Sequence, residues 1–260
     1  MSAQYTTDDN LAKRIAIHSY SVCETPFTEW YNSHVEVPPG ARLLDIGCGN
    51  AYRWKESDTL VAQCSEIVLA DSSPGMLDAA RSNVADVAGQ WRFEVADVCS
   101  LPFDNDSFQL VMANHMLYHA EDVNHAVAEI ARVLTPGGAL YATTNGLNHM
   151  WQLVEWLAGS ELETLTLLRD HSRSFGVENG PEILGRHFSN VDYYPREDYL
   201  SVPEVQPVLD YVSSIEPAHT PQVRATLDEL RKRLELELRE HGAIRIDKHG
   251  GLFKACQSRR

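Results

Sequence analysis

The sequence predicts an α/β fold built on a parallel, doubly wound sheet, and two observations carry that prediction. From Ala41 to Asn145, short apolar runs alternate with stretches of helical spacing. The first of these runs, Leu43-Leu44-Asp45-Ile46, opens straight into a glycine-rich turn. Strand, helix, strand at this rhythm calls for crossover connections and so for a parallel sheet. Right-handed crossovers then bring the C-terminal ends of the strands, and any ligand, to one edge. A chain of 260 residues has room for one large domain with an insertion.

Taken in order, a leader over residues 1–40 contains a helix at 10–20, with Leu11, Ile15 and Ile17 apolar, and closes at Pro38-Pro39-Gly40. The domain proper is expected over 41–260. Strands are expected at 43–46, 67–70, 91–96, 108–113 and 139–144, with helices at 76–88 and 123–134. Pro136-Gly137-Gly138 reads as the turn into the fifth strand. Beyond Asn145 the pattern loosens. A helix at 149–158 carries Trp151 and Trp156, which read as core residues or as walls of a substrate pocket. A short helix at 181–187 feeds a strand near 191–194. Val223, Leu227, Leu230, Leu234 and Leu238 make one apolar stripe of a helix over 222–240. The helices of about 203–242 read as a lid inserted into the sheet domain, and 252–255 as a closing strand.

The bulk numbers exclude several classes of function. Hydrophobic content of 43% with 23% charged residues is ordinary for a globular protein, so disorder and coiled coil are set aside. A formal charge of -15 opposes phosphate neutralisation, which argues against a nucleic-acid partner. The basic run Arg231-Lys232-Arg233 is interleaved with Glu229, Glu235 and Glu237 and reads as a solvated helix face. Five scattered cysteines, with no C-x-x-C pair, fit a reducing compartment better than a disulfide framework or a thiolate metal site. The opening MSAQYTTDDN lacks the basic and apolar regions of a signal peptide, and no apolar run nears the ~20 residues that span a bilayer. The expectation is a cytoplasmic protein with neither membrane nor metal.

The chemistry concentrates in Leu43–Ala51, LLDIGCGNA. Glycines at 47 and 49 let the backbone turn tightly and approach a ligand closely. A dinucleotide fingerprint needs a third glycine three residues on, and Tyr52 stands there, where its bulk is expected to clash. Asp45, inside the strand, is badly placed beside a pyrophosphate and well placed beside a cation. S-adenosyl-L-methionine carries an ammonium and a sulfonium and no phosphate, so the acid-then-glycine order favours it over NAD.

The run D-x-G-x-G resembles motif I of class I S-adenosylmethionine-dependent methyltransferases, in their ubiquinone/menaquinone-biosynthesis-like branch, with Ala51 where a third glycine is typical. Four further blocks resemble that family in order: Leu69 to Met76, Ala96 to Phe103, Ala113 to His119 and Arg132 to Gly138. The resemblance spans roughly residues 40–145. It implies a Rossmann-like seven-stranded sheet with helices on both faces and a reversed last hairpin. It also implies a cofactor site of Asp45, Gly47, Cys48, Gly49, Asp71, Ser72, Met76, Ala96, Asp97, Val98 and Asn114. Asp71 would bind the ribose hydroxyls, Met76 would pack on the adenine, and Asp97 would accept from the adenine amino group. Leader residues Tyr5 and Arg14 would fold over the cofactor.

Asp71 could instead serve only its turn, and Asp97 could end its strand for turn reasons alone. His115 and His119, with Asp122 and His125, suggest a metal less well than a base, because no cysteine joins them. A base is needed only for an acceptor that must lose a proton early, and His115, His119 or Tyr20 could serve. The expected function is therefore methyl transfer to an O, N or C atom of a small molecule. The lack of N-P-P-Y after Asn114 weakens a nucleic-acid amino-methyltransferase reading. The alternatives are an NAD(P)-dependent oxidoreductase and a non-catalytic S-adenosylmethionine-binding protein.

Overall fold

The computed structural model describes residues 13–160, 162–216 and 220–258; Tyr5 and the start of the helix expected at 10–20 lie outside them. Among the described residues the strands are β1 (Ala41–Ile46), β2 (Cys64–Asp71), β3 (Trp91–Val95), β4 (Phe108–Asn114), β5 (Leu134–Asn145), β6 (Phe188–Pro195), β7 (Asp198–Val202), β8 (Ile244–Lys248) and β9 (Gly250–Ser258). The chain divides into two compact units. The larger holds Thr25–Asn145, Ser172–Arg196 and the chain from Gly250; the smaller holds the chain up to Glu24, Gly146–His171 and Glu197–His249.

The larger unit is a seven-stranded sheet in the order β3-β2-β1-β4-β5-β9-β6. The first five strands run parallel, and β9 is antiparallel to both its neighbours. This is the reversed hairpin that the resemblance implied. Strand side chains alternate between faces, and each face has its own core. Leu44, Ile46, Val68, Ala70, Val111 and Ala113 pack with Val127 and Ile130 of helix Val123–Val133. Leu43, Ile67, Leu69, Leu110 and Met112 pack on the other side with Tyr31 of helix Phe27–His34 and Ala80 of helix Pro74–Asn83. A sheet covered on both faces reads as continuous apolar runs, and this is why β1, β2 and β4 were visible in the sequence.

Two local readings change. The turn Pro136-Gly137-Gly138 lies inside β5 as a bulge: Phe108 pairs with Leu134 and Leu110 with Ala139, so the intervening residues loop out while the pairing resumes. Asp122, weighed as a metal partner, caps helix Val123–Val133 by accepting from the N–H groups of Asn124 at 2.9 Å and His125 at 3.1 Å. Among the described residues no group of three or more His, Cys, Asp or Glu is arranged to hold a metal ion, and no helix is long and apolar enough to cross a membrane.

The smaller unit packs helices Trp151–Trp156, Gln206–Ile215 and Pro221–His241 around a core that includes Ile17, Leu153, Leu200, Val212, Leu230, Leu234 and Ile246. Val223, Leu230 and Leu234 of the expected stripe are buried, and Leu227 and Leu238 are partly so. The segment 203–242 is closed at its base by the antiparallel pair β7–β8, which the sequence reading did not foresee. The unit also gathers residues 13–24 and 146–171, so the leader expected as one piece over 1–40 is split at Glu24. Trp151 is not a core residue: it is 44% exposed, and its indole N–H donates to Asp247 at 3.0 Å.

Removing the helix cap should be felt without touching any core. Asp122→Ala is expected to cost about 1 kcal/mol, read as a lowered midpoint in urea unfolding. An unchanged midpoint would show that the cap contributes nothing.

Candidate functional site

The C-terminal ends of the parallel strands line up: Asp45 pairs with Leu69 and Met112, Asp71 with Val95, and Asn114 with Thr143. The strand order reverses between β1 and β4, and loops at such a switch point open a crevice. The loop after β1 is a tight turn in the left-handed region, with φ +67° at Gly47, +55° at Gly49 and +55° at Ala51. At Gly47 a side chain would force a shift, since a Cβ would come within 2.7 Å of Met116 Cβ and Cγ. The loop after β4 therefore packs directly on the loop after β1.

Asp71 ties the loops together. One carboxylate oxygen accepts from the Gly49 N–H at 2.9 Å, the other from the Ser73 N–H at 2.9 Å. Ser73 in turn caps helix Pro74–Asn83, and Ser72, between them, is exposed. An ionised carboxylate has about four acceptor sites, so these bonds leave capacity for a ligand. Beneath the loop lies Asp45, 2% exposed, accepting from the Trp54 indole N–H at 2.8 Å. Burial raises its carboxyl above the usual range; Arg53 and the Trp54 N–H pull it down, and Asp71 pushes it up. Cys48 is a protonated thiol rather than a nucleophile, because burial and then Asp45 and Asp71 push its ionisation far up.

At the neighbouring strand end the Ala96 N–H donates to the Asp71 carbonyl at 3.1 Å. Ala96, Val98 and Met76 are buried, whereas Asp97 is exposed and accepts from the Cys99 N–H at 2.8 Å. The turn role weighed for Asp97 is thus present, and its second oxygen remains available. Asn114 accepts from the Thr143 hydroxyl at 3.2 Å, while its amide nitrogen is buried with no hydrogen-bond partner. His115 is exposed in the left-handed region at φ +50°, a strained conformation for a non-glycine residue. His119, also exposed, stacks its ring edgewise on Tyr118.

Tyr20 and Arg14 belong to the smaller unit, where Tyr20 donates to Glu204 at 3.4 Å and Arg14 to the Ser214 carbonyl at 2.8 Å. Every other expected site residue within the described chain lies in the larger unit. Tyr52 does not clash as foreseen; it points outward at 56% exposure, starting the short 3-10 turn Tyr52–Glu56. What argues against a dinucleotide is instead that no long helix starts at the glycine loop to meet a pyrophosphate.

The sequence reading missed Tyr31, Arg53 and Trp54. The Arg53 guanidinium lies over the Tyr31 ring at 4.2 Å and donates to Asn32 at 3.2 Å. A cation two residues past the glycine loop was the one available signal. The donor set fits S-adenosylmethionine: two carboxylates for an ammonium and a ribose, a glycine cradle, an orphaned Asn114 amide, and apolar walls for a purine.

Residues 44–142 match the family model of a methyltransferase domain. The chain is 38% identical over 105 residues to a 27-O-demethylrifamycin SV methyltransferase of Amycolatopsis mediterranei, covering 39% of this chain and 37% of that protein. It is 37% identical over 103 residues to a ubiquinone/menaquinone biosynthesis C-methyltransferase of Stutzerimonas stutzeri, covering 39% and 40%. The matches thus span about two fifths of the length of these curated relatives. The solved structure of the YcgJ protein from Bacillus subtilis shares the fold, with a TM-score of 0.62 at 18% identity, covering 90% of this chain and 98% of that one.

Two substitutions test the loop. Gly47→Ala should lower stability by about 1–3 kcal/mol through the Met116 clash and the left-handed backbone, measured by denaturant unfolding; a wild-type value would refute the packing. Asp45→Asn should show its effect through pH. A carboxyl whose folded pKa lies above its unfolded one lends stability at low pH and loses it as pH rises through the folded value. The stability of the variant relative to wild type should therefore rise as the pH goes from 4 to 8. A gap independent of pH would show that burial of this charge is not the cause.

Proposed function

We propose that this chain, whose residues 44–142 form a class I methyltransferase domain of the ubiquinone/menaquinone C-methyltransferase type, transfers a methyl group from S-adenosyl-L-methionine to an O, N or C atom of a small molecule. The observation that carries the reading is the Asp71 carboxylate, bonded to both loops and retaining acceptor capacity at the crevice edge. Asp45, with the Asn114 amide, would hold the amino-acid end of the cofactor. Asp71 and Ser72 would hold the ribose. Met76, Ala96, Asp97 and Val98 would receive the adenine, against a backbone cradle of Gly47, Cys48 and Gly49.

The bound cofactor supplies an activated methyl on a sulfonium, ready for in-line displacement. The chain's own contribution is to orient and to dry the site. The two loops locked by Asp71 fix the position of the reacting edge, and near-attack positioning of this kind supplies several kcal/mol, about 7–11 at best. Where the acceptor is a hydroxyl, His115 or His119 would take its proton. Both lie on the segment after β4, and both rings are open to solvent. The proposed set draws only on the larger unit.

Calorimetric titration of S-adenosylhomocysteine, with NADH as control, tests this. Wild type should bind it and ignore NADH, and Asp71→Ala should lose roughly 1–3 kcal/mol or more, through the orphaned ribose hydroxyls and the released Gly49 and Ser73 N–H groups. Folded wild type that fails to bind S-adenosylhomocysteine sinks the reading. Binding without turnover over a broad acceptor panel would favour a cofactor-binding protein that has lost catalysis.

A further inference from the structure

Among the described residues, one buried cation of the larger unit has no anion to answer it. Arg196, at the end of β6, is only 9% exposed. Its Nη2 donates to the Thr25 carbonyl at 2.8 Å, but Nε and Nη1 are buried without any hydrogen-bond partner. Those two nitrogens carry three of the five N–H donors of a guanidinium. No carboxylate among the described residues is paired with it. The group lies over the rings of Phe27 at 5.6 Å and Trp30 at 5.3 Å. Cation–π attraction offsets part of the lost hydration and supplies no acceptor for the donors.

The rings around Arg196 lead to the reacting edge. Phe27 and Trp30 stand 5.9 Å apart on one helix, and the Phe27 ring is 6.1 Å from that of His115. Phe27 is also 37% exposed, unusual for a phenylalanine with so many aromatic neighbours. Arg196 and His115 thus both neighbour the Phe27 ring, which keeps part of its surface open for an aromatic ligand. In a chain of net charge -15, such a fixed local cation is what an anionic ligand would need. The cofactor's own charged end is already served by Asp45, with Arg53 as the nearby cation.

We infer that Arg196 receives the anionic oxygen group, carboxylate or phosphate, of an aromatic methyl acceptor whose ring packs on Phe27 and whose reacting end reaches His115. This rests on the methyl-transfer reading and names its substrate class. Arg196 binds and orients; it takes no part in the displacement.

The test titrates 4-hydroxybenzoate, phenyl phosphate and the neutral 4-hydroxybenzamide into protein saturated with S-adenosylhomocysteine. Wild type, Arg196→Lys and Arg196→Met are compared, with circular dichroism to verify folding. At least one anion should bind wild type tenfold or more tighter than the amide, and the better anion identifies carboxylate or phosphate. Arg196→Met should erase that preference and Arg196→Lys keep part of it, with S-adenosylhomocysteine affinity equal in all three. The inference falls if folded wild type binds neither anion better than the amide, or if Arg196→Met binds them as wild type does. It falls equally if Arg196→Met weakens S-adenosylhomocysteine itself, which would place Arg196 at the cofactor. The same titrations without S-adenosylhomocysteine separate the two readings. Anion binding that depends on Arg196, in a protein indifferent to S-adenosylhomocysteine, overturns methyl transfer and leaves the anion site standing.

Discussion

The geometry of the crevice depends on one carboxylate that serves two loops at once. Asp71 ends β2, yet one of its oxygens holds the Gly49 N–H from the loop after β1 and the other holds its own chain at Ser73. Bonds from an ionised acceptor to backbone N–H groups are among the stronger hydrogen bonds a protein makes. Because the Gly47 turn also packs on Met116, the constraint extends to the loop after β4. Three strand ends are thereby positioned by backbone contacts that do not wait for a ligand. A reaction that relies on placement benefits from that prior order.

The same site carries several unfavourable features. Asp45 is a charge held out of water, opposed by burial and relieved by Trp54 and Arg53. Two non-glycine residues, Ala51 and His115, sit in the left-handed region within these loops. Strain and buried charge are tolerated where the surrounding packing over-determines them, and here two apolar cores clamp the sheet from both faces. A cationic ligand over Asp45 would supply the counter-charge that the protein itself provides only in part.

How much of this was legible in the sequence follows from the range of each interaction. β1, the glycine turn and a helix after β2 are written in consecutive residues and were legible, although that helix spans Pro74–Asn83 rather than 76–88 and its Ser73 cap was not foreseen. Asp71 was recognisable by its distance from the glycines, although its bond to the Gly49 N–H was not. Trp54 meets Asp45 through a chain reversal that no periodicity announces. Arg196 reaches Thr25 and Phe27 across 171 positions or so, a contact made only when β6 joins the sheet. The pair β7–β8 escaped notice because each strand is five residues long and its partner lies beyond two helices. Tyr52 meets no neighbour of the kind a dinucleotide fingerprint would bring, because only a short 3-10 turn follows the glycines.

The position of β9 has a consequence for how the chain is made. It follows all the other described strands in sequence yet lies between β5 and β6 in space. During synthesis, both of those strands emerge with a bare hydrogen-bonding edge and remain so until residues 250–258 leave the ribosome. Exposed edges invite pairing with other chains. Nascent molecules stalled or cleaved before Gly250 should therefore be strong clients of chaperones, and the sheet closes only once β9, the last of the described strands, has been made.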